Sequence, residues 1–113
     1  RQCHPWSDKN FKGDKRLKEW HKEQSEYGFD EREMWSLDLT FAVYIYPRLK
    51  YFRDAVVVGI FHDDEMKKDV DKMLWSFAEI VKQNHYANGD KEYNRKLQEG
   101  LRLFAKRYFA LWF

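Results

Sequence analysis

The sequence predicts an all-α fold: a small bundle of three to four helices, the second kinked at Pro47. Three observations lead there. Apolar residues recur at helical spacing over long stretches, cap residues precede them, and glycine or asparagine follows them. The chain has 113 residues, of which 43% are hydrophobic and 35% charged. That apolar fraction can offset the entropy of ordering, so a disordered chain is excluded. The length suits one core. The expected organisation is an N-terminal arm over 1–13 and a single helical domain over 14–113.

Asp14 is placed to cap a first helix over 15–27, with Gly28 as its C-terminal stop. Its apolar residues are few (Leu17, Trp20, Tyr27), which predicts a weakly anchored surface helix. Asp30 is placed to cap the second helix, and Glu33 stands at the capping-box position. Its stripe runs Met34, Phe41, Ile45, Leu49, Phe52. Pro47 falls inside it and removes one backbone bond, so a kink is expected near Val43. Residues 55–61, rich in β-branched side chains, read either as a short strand or as an apolar loop. His62, Asp63, Asp64 and Glu65 open a third helix, whose stripe is Met66, Val70, Met73, Leu74, Phe77, Ile80 and Val81. Residues 87–89 are a stop. Asp90 then caps a fourth helix, with Tyr93, Leu97, Leu101, Phe104, Tyr108 and Trp112 on one face.

Several function classes are set aside. No apolar run approaches the roughly 18 residues that span a bilayer. The first residues lack the apolar segment of a secretory signal, and Cys3 is the sole cysteine, so a reducing, cytoplasmic setting is expected. Cys3 and His4 are too few for a metal site. The acids at 63–65 read better as partners of a helix dipole than as metal ligands, because neighbours on a helix point in different directions. Neither metal nor cofactor is expected. The net charge of +2 falls short of the basic stripe of a DNA- or RNA-binding protein. Gly-rich phosphate loops, CxxC, HExxH and GxSxG are absent from the sequence, so nothing argues for an enzyme.

Aromatic residues make up 19% of the chain, more than one small core can cover. That predicts self-association or a stacked ligand. Asp38 lies in line with the stripe of the second helix. It reads as an edge carboxylate bonding a helix end or an indole, as a polar anchor in a pocket, or as a general acid or base. Arg95, Arg102 and Lys106 form a basic ridge on the last helix, and Arg48, Lys50 and Arg53 a second cluster past Pro47. Such ridges are usually solvated faces, yet cations beside aromatics also suit a phosphate and a stacked base.

Trp35–Ser36–Leu37–Asp38, then Ala42, then Tyr46–Pro47–Arg48–Leu49 resembles a family of small proteins encoded by tailed phages. The elements Lys72–Met73–Leu74–Trp75–Ser76–Phe77 and Gly100–Leu101–Arg102–Leu103–Phe104–Ala105–Lys106 extend the likeness over about residues 28–113. The arm and the 55–58 stretch depart from its pattern. The family has no established activity; the resemblance implies a phage protein made in a bacterial host. Small helical phage proteins include sponges that sequester nucleotide signals of host defence, a parallel of size and composition only. Two expectations follow. One is a non-catalytic sponge, a homo-oligomer in which Arg48, Arg53, Arg95, Arg102 and Lys106 hold a phosphorylated nucleotide near Trp35 and Asp38. The other is a module that binds a host or phage protein through exposed aromatics.

Overall fold

The computed structural model describes residues 6–86 and 88–112; Cys3, His4 and Ala87 lie outside them. The described residues are helical, with no strand among them, and form five α-helices, four of them long: α1 (Leu17–Tyr27), α2 (Arg32–Trp35), α3 (Leu37–Phe52), α4 (Asp64–Val81) and α5 (Lys91–Lys106). Short 3-10 helices cover Asp8–Phe11 and Tyr108–Ala110. The chain divides into two compact units, Arg1–Phe41 and Ala42–Phe113.

In the first unit α1 begins at Leu17, two residues later than expected. Asp14 accepts bonds from the backbone N–H of Arg16 (2.8 Å) and from its side chain, so it closes the preceding turn instead of capping the helix. Gly28 ends α1 at φ 82°, in the left-handed region where glycine carries no Cβ penalty, and its N–H reaches the Gln24 carbonyl. The expectation of weak anchoring fails at Trp20, which is buried. Phe11, from the 3-10 helix, and Trp35 meet its ring edge-on at 5.2 and 5.7 Å. Asp30 and Glu33 form the reciprocal box: the Asp30 carboxylate accepts from the Arg32 N–H, and Glu33 accepts from the Asp30 N–H.

The second helix is two helices. Ser36, at φ −146° and ψ 78°, breaks the run after Trp35. The Asp38 carboxylate then accepts from the Ser36 hydroxyl (2.8 Å) and the Leu39 N–H (2.9 Å) at the start of α3. The break leaves Met34 on a separate helix from the rest of the stripe. Met34, Asp38 and Phe41, expected on the buried stripe, are exposed, and Leu39 and Ala42 are buried in their place. From Ile45 onward the expected stripe holds, with Leu49 buried and Ile45 and Phe52 packed on the core. α3 continues through Pro47.

The second unit is built on α4 and α5. All seven apolar residues expected on the α4 stripe are buried. Asp63 caps α4 by accepting from the Met66 N–H, and Asp64 and Glu65 occupy the first turn. Asp90 caps α5 through the N–H groups of Glu92 and Tyr93. Leu97 is buried against α4, with Tyr93, Leu101 and Phe104 partly so. The helix ends at Lys106, so Tyr108 and Trp112 lie past it and are exposed, contrary to the expected continuous face. Gly100 permits the close crossing: a Cβ there would stand 1.9 Å from the Ser76 hydroxyl and 2.5 Å from the Lys72 carbonyl. Ser76 donates that hydroxyl to the Leu97 carbonyl at 2.9 Å.

Residues 53–58 are neither strand nor loop. They form a π-helix, Arg53–Val58, that prolongs α3. Gly59 N–H to Asp54 O and Phe61 N–H to Val56 O are the wide, five-residue bonds of that turn. Val56 and Val57 are buried, while Val58, Ile60 and Phe61 are exposed. Wider turns of this kind are rare and are found mostly at functional sites.

Candidate binding groove

The groove lies in the second unit, where α3 passes into the π-helix. Pro47, Arg48, Tyr51 and Phe52 line it from α3, and Ala55, Val56 and Ile60 from the wide turn and its exit; its volume is about 560 Å³. Six of those seven residues are apolar or aromatic. Tyr51 is 75% exposed and Ile60 51%. A smaller cavity of about 240 Å³ adjoins Phe52 and is lined among others by Val57, Phe61, Met66 and Trp112. Exposed apolar area gathered around a concave site is the ordinary mark of a ligand or protein contact.

Arg48 is the one charged residue in the groove lining. Its guanidinium lies over the Tyr44 ring, 3.9 Å from the centroid, and its Nη1 donates to the Tyr44 carbonyl at 2.8 Å. Among the described residues it has no carboxylate partner. The other arginines of this unit differ. Arg53 pairs with Asp54 and Asp71, both at 2.9 Å, and Arg107 with Asp69 at 2.7 Å. Arg95 is held by Glu92 and Glu99, which raise its pKa further. Arg102 and Lys106 are exposed, form no ion pair among the described residues, and do not line the groove.

The expected ridge is thus a set of separate situations. Arg53 and Arg95 are neutralised, Arg48 opens on an apolar slot, and Arg102 and Lys106 face solvent. Trp35 and Asp38 belong to the first unit. Trp35 is engaged there edge-on with Trp6, Phe11 and Trp20 at 5.6–5.8 Å. A more polar depression of about 500 Å³ in that unit includes Asp8, Asp30 and Arg32, which already pair with one another. Tyr51, Ala55 and Ile60 were not among the expected site residues. For Ala55 and Ile60 the signal was the apolar 55–61 run, which holds more apolar positions than one buried face can use.

The chain matches no protein-family model, no curated protein and no solved structure.

Proposed function

We propose that this protein is a non-catalytic interaction module that docks a partner protein in the groove of its second unit. The observation that carries the reading is the apolar slot beside Arg48, rimmed by exposed Tyr51 and Ile60. Large exposed aromatics at a concave surface supply binding area at little entropic cost. The resemblance to small tailed-phage proteins supports a host or phage protein as the partner, met in a bacterial cytoplasm. A photo-crosslinking residue at position 51, introduced in host cells, is expected to trap one protein reproducibly, and Ile60→Asp to abolish the adduct. Absence of an adduct, or adducts insensitive to Ile60→Asp, would sink the reading.

A second reading keeps the nucleotide sponge. Its support is that Arg102 and Lys106, one turn apart on α5, are exposed and unpaired among the described residues. Self-association fits it, with Phe109 88% exposed next to Tyr108. Calorimetry against linear and cyclic nucleotides separates the two readings. The sponge predicts a multiply charged ligand recovered unaltered, with affinity falling about tenfold or more in Arg102→Ala.

A further inference from the structure

Resting on the docking reading, we infer that the groove's occupant is an amphipathic α-helix with a carboxylate beside its apolar face, and that Arg48 selects that carboxylate. The shape of the site favours a helix. No strand edge is offered among the described residues, so strand addition has no template. Tyr44, Arg48 and Tyr51 stand on the outside of α3 at spacings of four and three, the register along which a second helix packs. Ala55, Val56 and Ile60 complete an apolar slot for its anchoring side chains.

The charge argument is specific to Arg48. A guanidinium has five N–H donors, and only the Nη1 bond to the Tyr44 carbonyl is satisfied among the described residues. Stacking on Tyr44 and that bond hold the side chain in place before any partner arrives, so binding an acid costs little further ordering. Asp54, the nearest acid in sequence, is occupied by Arg53. A second copy of this chain fits less well. Two copies meeting by this face would bring two Arg48 cations into one contact, and the groove lining holds no carboxylate to meet them.

The test is selection from a single-helix display library with a fixed apolar face and randomised flanking positions. It is run against the full chain and against Arg48→Glu, both exposed-surface versions of one fold. The full chain is expected to enrich Asp or Glu at one flanking position, and Arg48→Glu to enrich Lys or Arg there. In fluorescence anisotropy Arg48→Ala is expected to weaken the selected acidic helix about tenfold, with an unchanged melting curve. Helices enriched without acidic preference, or with the same preference in Arg48→Glu, would overturn the role of Arg48 while leaving the groove reading intact. No enriched helix, or helices that Ile60→Asp fails to exclude, would overturn the docking reading itself. Concentration-dependent dimerisation abolished by Ile60→Asp would assign the groove to a second copy and overturn the foreign helix.

Discussion

The two units solve the same problem with different materials. The first holds few aliphatic residues and closes on an aromatic cluster with a buried ion pair at its centre. Arg32 and Asp30 are each 2% exposed, joined at 2.8 Å, and Asp8 adds a second carboxylate at the same distance. The Arg32 guanidinium also lies over Trp20, 4.4 Å from the ring centroid. Among the described residues its Nη1 has no hydrogen-bond acceptor, and the ring faces of Trp20 and Phe11 lie against the guanidinium instead. The second unit is the ordinary case, two amphipathic helices closing over methionine, valine, leucine and phenylalanine. An apolar core tolerates small losses one at a time. A core centred on charge depends on every partner being present.

That contrast is sharpest under substitution of Arg32. Removing one partner of a buried pair strands the other charge and typically costs about 3–5 kcal/mol. Arg32→Met is therefore expected to loosen the first unit, read as lost dispersion of the Trp20 and Trp35 indole signals in NMR, while the Trp75 signal of the second unit persists. Retained dispersion at all three indoles would show that Asp8, Asp30 and Gln24 suffice without the cation. The corresponding break in the second unit is smaller. Gly100→Ala drives a Cβ into the Ser76 hydroxyl and the Lys72 carbonyl, and overpacking of this kind costs about 1–3 kcal/mol. Urea denaturation should show the loss. Pairing it with Ser76→Gly should recover part of it, and no recovery would place the strain elsewhere.

Acid distinguishes the units by where their lowered carboxyls lie. Hydrogen bonds from His21 and then Arg32 hold the Asp8 carboxyl below its usual value. Burial pushes Asp30 up, but bonds from the Arg32 and Gln24 side chains and the Arg32 N–H outweigh it. Asp14 is lowered to about 2, first by the Arg16 side chain. A folded-state pKa below the unfolded value, about 3.9, means that the unfolded chain binds more protons in acid. The stabilisation is thus complete above about pH 4 and is lost as the pH falls towards 2. Asp71, Glu92 and Glu99 of the second unit are lowered too, but they lie outside its apolar core. Acid titration should therefore collapse the dispersion of the Trp20 and Trp35 signals before that of Trp75. The reverse order would contradict the assignment of the charged core to the first unit.

The groove marks where sequence reasoning stopped. The 55–61 run was visibly apolar, yet its β-branched residues read as a strand or a loop and the helical alternative was missed. The π turn follows from how Val56 and Val57 reach the core while Val58, Ile60 and Phe61 stay outside. The basic residues were legible as residue types and not as states. Arg53 and Arg95 have acids within four residues in sequence, a cue to neutralisation, but the Arg53–Asp71 and Arg107–Asp69 pairs join positions far apart in the chain. Asp38 was misplaced because the buried face at the start of α3 runs through Leu39 and Ala42, one position round the helix from Asp38 and Phe41, and the break at Ser36 leaves Met34 on a separate helix.

By itself the sequence determined the all-helical class, the stripe of α4, its acidic start over 63–65, the Asp90 cap, the local pairing of Asp30 with Glu33 and the Gly28 stop. Each rests on interactions within a few residues, where spacing along the chain is spacing in the structure. Only the tertiary structure decided that Trp20 is a core residue, that Arg32 is buried, that residues 53–58 wind as a π-helix, and that Arg48 lines the apolar groove without a carboxylate partner among the described residues. Those outcomes depend on which distant side chains arrive to fill a space or cancel a charge, and burial and Coulomb energies are properties of the assembled neighbourhood.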